Sequence, residues 1–114
     1  MRPLYDRDGR VAAFLRGDRI VSIRGDSVGW ISDGRVYDYA GQHLGWWDTT
    51  HMRGPDGGVV VWLKGAENLG IMLPIPLVSP MSPADSLEPV RPTPSSTPPR
   101  PPDKGQWSVY VLGR

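Results

Sequence analysis

The chain has 114 residues, with 13 basic side chains, 12 acidic side chains and no cysteine. The lack of cysteine excludes disulfides and cysteine-based zinc sites, and the near-zero net charge argues against a strong electrostatic grip on nucleic acid. A core of this size is marginal unless something covers it, so self-association is expected. The sequence has neither an apolar run long enough for a bilayer nor the apolar stretch of a signal peptide, which favours a cytoplasmic protein.

A pattern with a period of sixteen residues runs from residue 4 to residue 63. In each unit an aliphatic or methionine side chain is followed five residues later by glycine, and five residues after that by an aromatic side chain. The glycines are Gly9, Gly25, Gly41 and Gly57, and the aromatic residues are Phe14, Trp30, Trp46 and Trp62. Asp8-Gly9 between two short apolar runs predicts a type I′ hairpin turn. Four units of strand, tight turn, strand and turn therefore predict eight short strands.

Pairing residues outward from each predicted turn places apolar side chains on both faces of the hairpins. One predicted face holds Tyr5, Val21, Tyr37, Ala12, Val28, Leu44 and Val60 together with the four aromatic residues, and the other holds Leu4, Ile20, Val36 and Met52. A sheet with two apolar faces has to be covered on both, by closure, by the tail or by another copy. Glycine before tryptophan, at Gly29 and Gly45, indicates that the units converge around a central axis.

Three tandem sequence segments in this region resemble those of a known family. They are LYDRDGRVAAFL, VSIRGDSVGWI and VYDYAGQHLGWW, and with the proline-rich stretch and the terminal Gln106-Trp107-Ser108 they are similar to the small bacterial 4-fold beta flower proteins. The resemblance covers residues 3 to about 65 and implies an all-β fold of four hairpins about a pseudo-four-fold axis. It implies no activity. The fourth unit departs from the pattern, because Gly54-Pro55 replaces the polar strand residues of the other units.

The domain organisation follows from where the period ends. Residues 1–66 are predicted to form the four-hairpin domain, and residues 67–78 an extra edge strand. Residues 79–105 are predicted to be a proline-rich linker, extended or disordered, in which the PxxP pattern at Pro89 is part of a spacer. Residues 106–114 are predicted to be a C-terminal strand that packs back on the sheet of the same or another copy.

One group of polar residues suggests a catalytic site. Asp38 and His43 face each other in the predicted pairing, and a carboxylate beside an imidazole can orient a general base. Ser22 and Ser27 hold the same two places in the preceding unit, so a hydrolase-like site is one hypothesis. Because no nucleophile-elbow or oxyanion-hole signature accompanies these residues, a polar pair that satisfies its own hydrogen bonds is the alternative.

A second set suggests binding. Tryptophans can stack sugars or bases, although their recurrence at one register favours packing. Trp46 is predicted to pair with Arg53 across the strands, and with Trp47 and His43 these residues form a candidate glycan-type site. His43 and His51 lack the spacing of a known metal site, so neither a metal nor a cofactor is predicted.

The sequence thus favours a non-enzymatic structural or protein-interaction module that self-associates or binds another, unidentified protein. The arginine-rich turns also carry aspartates, so they are interpreted as a solvated, charge-balanced rim, with neither nucleic acid nor a membrane as partner. Two alternatives stay open. One is a ligand-binding module that uses its aromatic face, and the other is a hydrolase at Asp38 and His43.

Overall fold

The computed structural model describes residues 1–84 and 86–112 of the chain. These residues form eight antiparallel strands in meander order, closed into a barrel by pairing of the first strand with the last. The strands are β1 (Arg2–Tyr5), β2 (Val11–Arg16), β3 (Arg19–Ser22), β4 (Ser27–Ser32), β5 (Arg35–Tyr37), β6 (His43–Trp47), β7 (His51–Arg53) and β8 (Val59–Trp62). The all-β prediction of tandem hairpins is confirmed. In the described part of the chain, no helix is long and apolar enough to cross a bilayer.

We call the hairpins β1–β2, β3–β4, β5–β6 and β7–β8 petals 1 to 4, and the turn within each petal its tip. At the tip of petal 1 the Asp6 N–H donates to the Arg10 carbonyl (2.8 Å) and the Gly9 N–H donates to the Asp6 carbonyl (3.1 Å). Within this tip only Gly9 has a positive φ, of 77°. The predicted type I′ turn is therefore wrong, and the tip is a bulged loop with one left-handed glycine. A turn with two positive φ angles occurs instead between petals 2 and 3, at Asp33 (53°) and Gly34 (72°).

The extra tip residue changes which side chains share a face. In petal 1 Leu4 pairs with Ala13 but Tyr5 pairs with Val11, so Ala12 is left as the bulge. The same shift occurs in the other three petals. The sequence placed the bulge-position side chains beside the outer aromatic residues, and the structure instead packs them into the inner core. These residues are Ala12, Val28, Leu44 and Val60.

The inner face of the barrel is a packed apolar core with no exposed surface at its centre. One residue from each petal lies there, and each of the four has an exposed fraction of zero. They are Leu4, Ile20, Val36 and Met52. Barrel closure therefore covers one of the two apolar faces that the sequence required to be covered.

The prediction that the petals converge holds most strictly at Gly45. An added Cβ at Gly45 would lie 2.1 Å from the Arg53 carbonyl oxygen, so no larger residue fits beside that strand. The constraint at Gly29 is weaker, with the nearest atom, the Tyr37 carbonyl oxygen, 3.2 Å from an added Cβ. Close approach of the backbones thus explains one of the two strand glycines fully and the other in part.

The outer face is covered by the C-terminal half of the chain. Residues 70–84 and 86–105 run around the outside of the barrel without forming helix or strand, and we call these described residues the belt. The edge strand expected over residues 67–78 does not form. A closed barrel has no free sheet edge to pair with, and Pro74 and Pro76 have no N–H to donate.

The predicted C-terminal strand is also absent from the part of it that the structure describes. Residues 106–112 form one parallel bridge, between Trp107 and Val59, and then cross the open end of the barrel. There Tyr110 and Leu112 pack against the inner core. Residues 85, 113 and 114 of the predicted linker and strand lie outside the described residues.

Candidate functional site

The polar residues at the start of the tips of petals 1, 2 and 3 act as turn caps. Asp38 Oδ1 accepts hydrogen bonds from the backbone N–H groups of Ala40 and Gln42, both at 2.9 Å. Ser22 Oγ does the same for its own tip, at 3.2 and 3.1 Å, and Asp6 does so in petal 1. Side chains that bond their own backbone in this way are typical of turns. Asp38 and Ser22, which hold equivalent positions in successive units, therefore stabilise the tips of their own petals.

His43 does not face Asp38. The bulge shifts the register by one residue, so that Tyr37 lies opposite His43. The imidazole packs edge-on against Tyr37 and Trp46, with ring centroids 5.6 and 4.6 Å apart. Burial lowers the pKa of His43 below its usual value, and its Nε2 atom is buried without a hydrogen-bond partner in the described chain. His43 is a member of an aromatic stack, and no carboxylate of the described residues orients it.

The candidate catalytic set is therefore not assembled. Ser22 and Asp38 cap the tips of different petals, and Ser27 lies at the start of β4, in the position that His43 holds in β6. Among the described residues no hydrogen bond joins any two of these four side chains.

The candidate binding set is divided between the two faces of the barrel. Trp47 packs against the inner core. Trp46 lies on the outer face opposite Arg53, which is the cross-strand pairing predicted from the sequence. Both of these outer residues are almost completely buried, with exposed fractions of 6% and 4%. The belt covers them, so the aromatic face is not open to solvent at this position.

The belt binds each petal tip at the same place. The N–H groups of Leu77, Ser95 and Lys104 donate to the carbonyls of the tip glycines of petals 1, 3 and 4, at 2.8, 2.8 and 3.0 Å. At petal 2 the hydroxyl of Ser86 donates to the Gly25 carbonyl at 2.6 Å. These four donors are spaced nine residues apart. The belt therefore has its own four-fold repeat, matched to the sixteen-residue repeat of the barrel.

The nine-residue spacing follows from the size of the barrel. The molecule is a disc 36 Å across and 21 Å thick. A quarter of the perimeter of a 36 Å circle is about 28 Å, and nine residues of an extended proline-rich chain, at ~3.1 Å each, also span about 28 Å. One nine-residue belt segment thus carries the chain from one tip to the next.

The tip glycines are required by the belt as well as by the turn. An added Cβ at Gly57 would lie 2.2 Å from the Pro102 carbonyl oxygen, and one at Gly9 would lie 2.5 Å from that of Ile75. The same contact occurs at Gly41 and Gly25, at 3.0 and 3.3 Å. The regular spacing of these glycines along the chain therefore reflects two independent needs, a left-handed backbone and a close passage of the belt.

Two belt arginines, nine residues apart, cover tryptophans of the outer face. Arg91 lies over Trp30, 5.4 Å from the ring centroid, and binds both carboxylate oxygens of Asp18 at 2.7 and 2.9 Å. The hydrogen bonds from Arg91 lower the pKa of Asp18. Arg91 also binds Glu88, which accepts a 2.6 Å hydrogen bond from Tyr39. Burial and then that carboxylate raise the pKa of Tyr39 to about 12.

Arg100 makes the corresponding contacts at petals 3 and 4. Its guanidinium lies 5.8 Å from the centroid of Trp46 and binds both carboxylate oxygens of Asp48. Hydrogen bonding by Arg100 lowers the pKa of Asp48. Asp48 Oδ2 also lies 3.4 Å from Nε2 of His51, whose pKa is lowered, chiefly by burial. The paired cations and carboxylates hold the belt against an otherwise apolar surface.

Arg53 joins the two ends of the belt. Its Nη1 donates to the carbonyls of Gly57 (2.9 Å) and Lys104 (2.8 Å), and its Nη2 donates to the carbonyl of Leu69 (3.0 Å). Its Nε lies 3.6 Å from Asp103 Oδ1. The equivalent position in the other petals is tyrosine or valine. A single buried guanidinium thus fixes the start of the belt, its end and the tip of petal 4.

The two ends of the belt are in direct contact beside this arginine. An added Cβ at Gly105 would lie 2.6 Å from the Gly70 carbonyl oxygen, so the backbones touch where the belt closes. The described residues of the belt therefore run around the barrel from Gly70 to Gly105, where the two ends meet.

The irregular tip of petal 4 receives the C-terminal segment. Ser108 lies where a tip-capping side chain would otherwise be, because an added Cβ at Gly54 would lie 2.4 Å from its hydroxyl. The Ser108 hydroxyl donates to Asp56 Oδ1 at 2.7 Å, and the Val109 N–H donates to Asp56 Oδ2 at 3.0 Å. Gly58 gives equally close passage to Trp107 and Ser108. The departure from the repeat at Gly54-Pro55 is a docking site for the chain's own end.

The belt was the part of the site that sequence reasoning missed, although a signal for it exists. Four prolines recur at nine-residue spacing, each three residues before a tip-binding residue. They are Pro74, Pro83, Pro92 and Pro101. Nine other prolines in the chain obscure this period. The interpretation of the segment as a spacer treated all prolines as equivalent.

Comparison with known proteins agrees with this architecture. The family model of the 4-fold beta flower protein matches residues 2–113 of the chain. No curated protein and no solved structure gives a significant match. The match includes the belt and most of the C-terminal segment as well as the barrel.

Proposed function

The chain belongs to the family of 4-fold beta flower proteins, and we propose that it is a non-enzymatic interaction module. The barrel is the scaffold, and the outward side of the belt is the surface that partners contact. The proposal includes a cytoplasmic location and self-association. The polar and aromatic candidates on the barrel are engaged by the chain itself, which leaves the belt as the surface available to others.

One observation carries this proposal. The belt donates a hydrogen bond to the tip glycine carbonyl of all four petals, from a backbone N–H at three and from a serine hydroxyl at the fourth, so that its inward side is fixed and its outward side is a defined surface. Large apolar side chains, among them Val78 and Leu87 at 97% exposure, lie on that outward side. Contiguous exposed apolar residues mark interaction sites in folded proteins.

The two alternatives have less support. A glycan-type site would need an open aromatic face, and Arg91 and Arg100 lie over Trp30 and Trp46. A hydrolase would need an imidazole oriented by a carboxylate, and His43 is packed between aromatic rings instead. Ester hydrolysis that His43→Ala abolishes, or a tryptophan fluorescence change on adding oligosaccharide, would restore the corresponding alternative.

Amide hydrogen exchange tests the proposal directly. The amides of Leu77, Ser95 and Lys104 are expected to be protected like those of barrel strands, because each donates to a tip carbonyl. The Met81 amide has no acceptor among the described residues and is expected to exchange rapidly, which makes it the internal control. If all three exchanged as fast as Met81, the belt would be a free tail and the module as proposed would not exist.

A further inference from the structure

The belt is held by two arginine anchors, and one of them includes a histidine. Arg91 binds both carboxylate oxygens of Asp18, and Arg100 binds both of those of Asp48. Among the described residues, only the second carboxylate has an imidazole beside it, because Oδ2 of Asp48 also lies 3.4 Å from Nε2 of His51. Arg100 and His51 therefore face the same carboxylate oxygen.

The imidazole of His51 is enclosed by the protein. The residue is 8% exposed, Nδ1 lies 2.9 Å from the Thr50 hydroxyl, and Nε2 is buried without a hydrogen-bond partner in the described chain. Across the sheet His51 pairs with Trp62, which is uncharged, and the charged residues that follow β8, Lys64 and Glu67, are exposed. In the imidazolium both ring nitrogens are donors, so a second proton directs an N–H at the carboxylate whichever nitrogen the neutral ring protonates.

The charges around this imidazole are balanced before it is protonated. The cluster consists of two carboxylates, Asp48 and Asp103, and two guanidiniums, Arg53 and Arg100. Arg100 Nη2 lies 3.1 Å from Asp103 Oδ1, and Arg53 Nε lies 3.6 Å from the same oxygen. A proton on His51 would set three cations against two carboxylates, and a buried charge without a counter-charge is strongly unfavourable. Protonation therefore favours a rearrangement that gives the imidazolium water or a carboxylate of its own.

Burial acts on the imidazole in the same sense as the charge count. It lowers the pKa of His51, with Arg53 and Arg100 acting in the same direction, and Asp48 and Asp103 oppose the shift without reversing it. A group whose pKa is lower in the closed structure binds protons more readily in an open one. Acid therefore favours opening of the contacts that enclose it.

Arg100 lies between the last two tip contacts of the belt. The Ser95 N–H donates to the tip of petal 3, and the Lys104 N–H donates to the tip of petal 4. The belt ends meet directly after the second of these contacts. Loss of the hydrogen bonds from Arg100 to Asp48 would therefore loosen the belt where it passes from petal 3 to petal 4.

We propose that Asp48, His51 and Arg100 form a proton-operated latch of the belt. When His51 is neutral, Arg100 holds Asp48 and covers Trp46. When His51 is protonated, it binds Asp48 in place of Arg100, and the belt opens between petals 3 and 4 while it stays bound to petals 1 and 2. The inference rests on the proposed function, because a latch needs a belt that is fixed to the barrel. It adds an acid-dependent release of one part of that surface.

Amide hydrogen exchange at two pH values tests the latch on the full-length chain. After correction for the intrinsic exchange rate at each pH, protection of the Lys104 amide is expected to fall on acidification, whereas that of the Leu77 amide, at petal 1, is expected to stay constant. Opening should increase about tenfold for each pH unit below ~6.5 until the lower pKa of the closed latch is reached. Protection of Lys104 at a pH of about 5.5 should therefore be roughly three- to tenfold below that at a pH of about 7.5.

Three variants assign the effect to its residues. His51→Gln keeps a polar side chain that cannot be protonated, so protection of Lys104 is expected to be the same at both pH values. His43→Gln is the matched control, because His43 is the other histidine of the chain and burial lowers its pKa too; the fall in protection is expected to remain. Arg100→Met removes the latch and is expected to leave Lys104 weakly protected at both pH values.

Four results overturn the proposal. Protection of Lys104 could be independent of pH, it could fall equally in His51→Gln, or Leu77 could lose protection to the same extent. Proton NMR titration of the wild-type chain could also give His51 a pKa at or above its unfolded value of about 6.5. That titration needs no substitution, so it decides the matter even if His51→Gln does not fold.

The same exchange data separate the latch from the module. Protected Leu77, Ser95 and Lys104 amides at neutral pH, with no pH dependence at Lys104, refute the latch and leave the proposed module intact. Unprotected amides at neutral pH refute the module itself.

Discussion

Substituting alanine at Gly57 separates the two roles of the tip glycines. Gly57 has a φ of 82°, and an added Cβ there would lie 2.2 Å from the Pro102 carbonyl oxygen. Gly17 has a similar left-handed φ of 60°, but no described atom lies within 4 Å of an added Cβ. Both substitutions incur the cost of a left-handed backbone, about 1–2 kcal/mol of unfolding free energy. Only Gly57→Ala also displaces the belt.

The additional cost at Gly57 can be estimated from the contacts that would be lost. Its carbonyl accepts from the Lys104 N–H at 3.0 Å and from the Arg53 guanidinium at 2.9 Å. A neutral hydrogen bond contributes about 1 kcal/mol and one to a charged group about 1.5–3 kcal/mol. Gly57→Ala is therefore expected to lower the free energy of unfolding by about 3–6 kcal/mol, against about 1–2 kcal/mol for Gly17→Ala.

Urea unfolding followed by tryptophan fluorescence measures this difference. The other tips provide a graded series, because the distance from an added Cβ to the belt carbonyl increases from Gly9 (2.5 Å) to Gly41 (3.0 Å) to Gly25 (3.3 Å). Destabilisation by alanine is expected to decrease in that order. If Gly57→Ala and Gly17→Ala agreed within about 0.5 kcal/mol, close passage of the belt would contribute nothing beyond the known cost of the left-handed backbone.

Three further predictions concern the belt and the C-terminal segment. Arg53→Met is expected to lower the unfolding free energy by about 3–5 kcal/mol, because the carbonyls of Leu69 and Lys104 lose their donor and that of Gly57 loses one of two. Arg35→Met, at an exposed ion pair, should lower it by less than about 1 kcal/mol, and equal effects in urea titrations would contradict the role of Arg53. Burial lowers the folded-state pKa of His43 and His51, so the unfolded chain binds protons more readily than the folded chain. The urea midpoint should therefore be constant above a pH of about 6.5 and fall as the pH is lowered from there towards the folded pKa. A midpoint unchanged between pH 7.5 and pH 5 would exclude this linkage. Ser108→Ala removes the 2.7 Å hydrogen bond to the tip of petal 4 and is expected to lower the free energy of unfolding by about 1–2 kcal/mol. It should also speed carboxypeptidase digestion of the C-terminal segment. Unchanged digestion would show that other contacts hold the segment.

The hairpin architecture was predictable because it depends on the spacing of glycine and apolar residues that are close together in the sequence. The sixteen-residue period predicted the number of strands, and alternation continued across the turn between units 3 and 4 correctly paired Trp46 with Arg53. Asp38 and His43 were misplaced because a glycine-containing tip such as Ala40-Gly41 is compatible with more than one hairpin turn. One additional residue in the tip moved every partner on one side by a place, which is enough to change the neighbours of an imidazole.

The belt could not be located in the same way. Its contacts use backbone carbonyls of the tips, which every sequence possesses, and they join residues as far apart as Gly9 and Leu77. The nine-residue proline spacing indicates a repeat, but only the diameter of the barrel shows that one repeat spans the distance between neighbouring tips. Arg53 was singled out as a partner for a tryptophan, and its hydrogen bonds to both ends of the belt depend on closure of a ring that no local pattern encodes.

The closed ring at Gly70 and Gly105 also constrains how such a chain can evolve. Each petal is encoded twice, by sixteen residues in the barrel and by nine residues much further along the chain. Duplication of one hairpin alone would enlarge the barrel and leave the belt too short to meet itself, so that Arg53 could not reach both ends. A change in petal number therefore requires two coordinated duplications at separate places in the gene. The number of petals is therefore maintained by the length of the belt as much as by the hairpins.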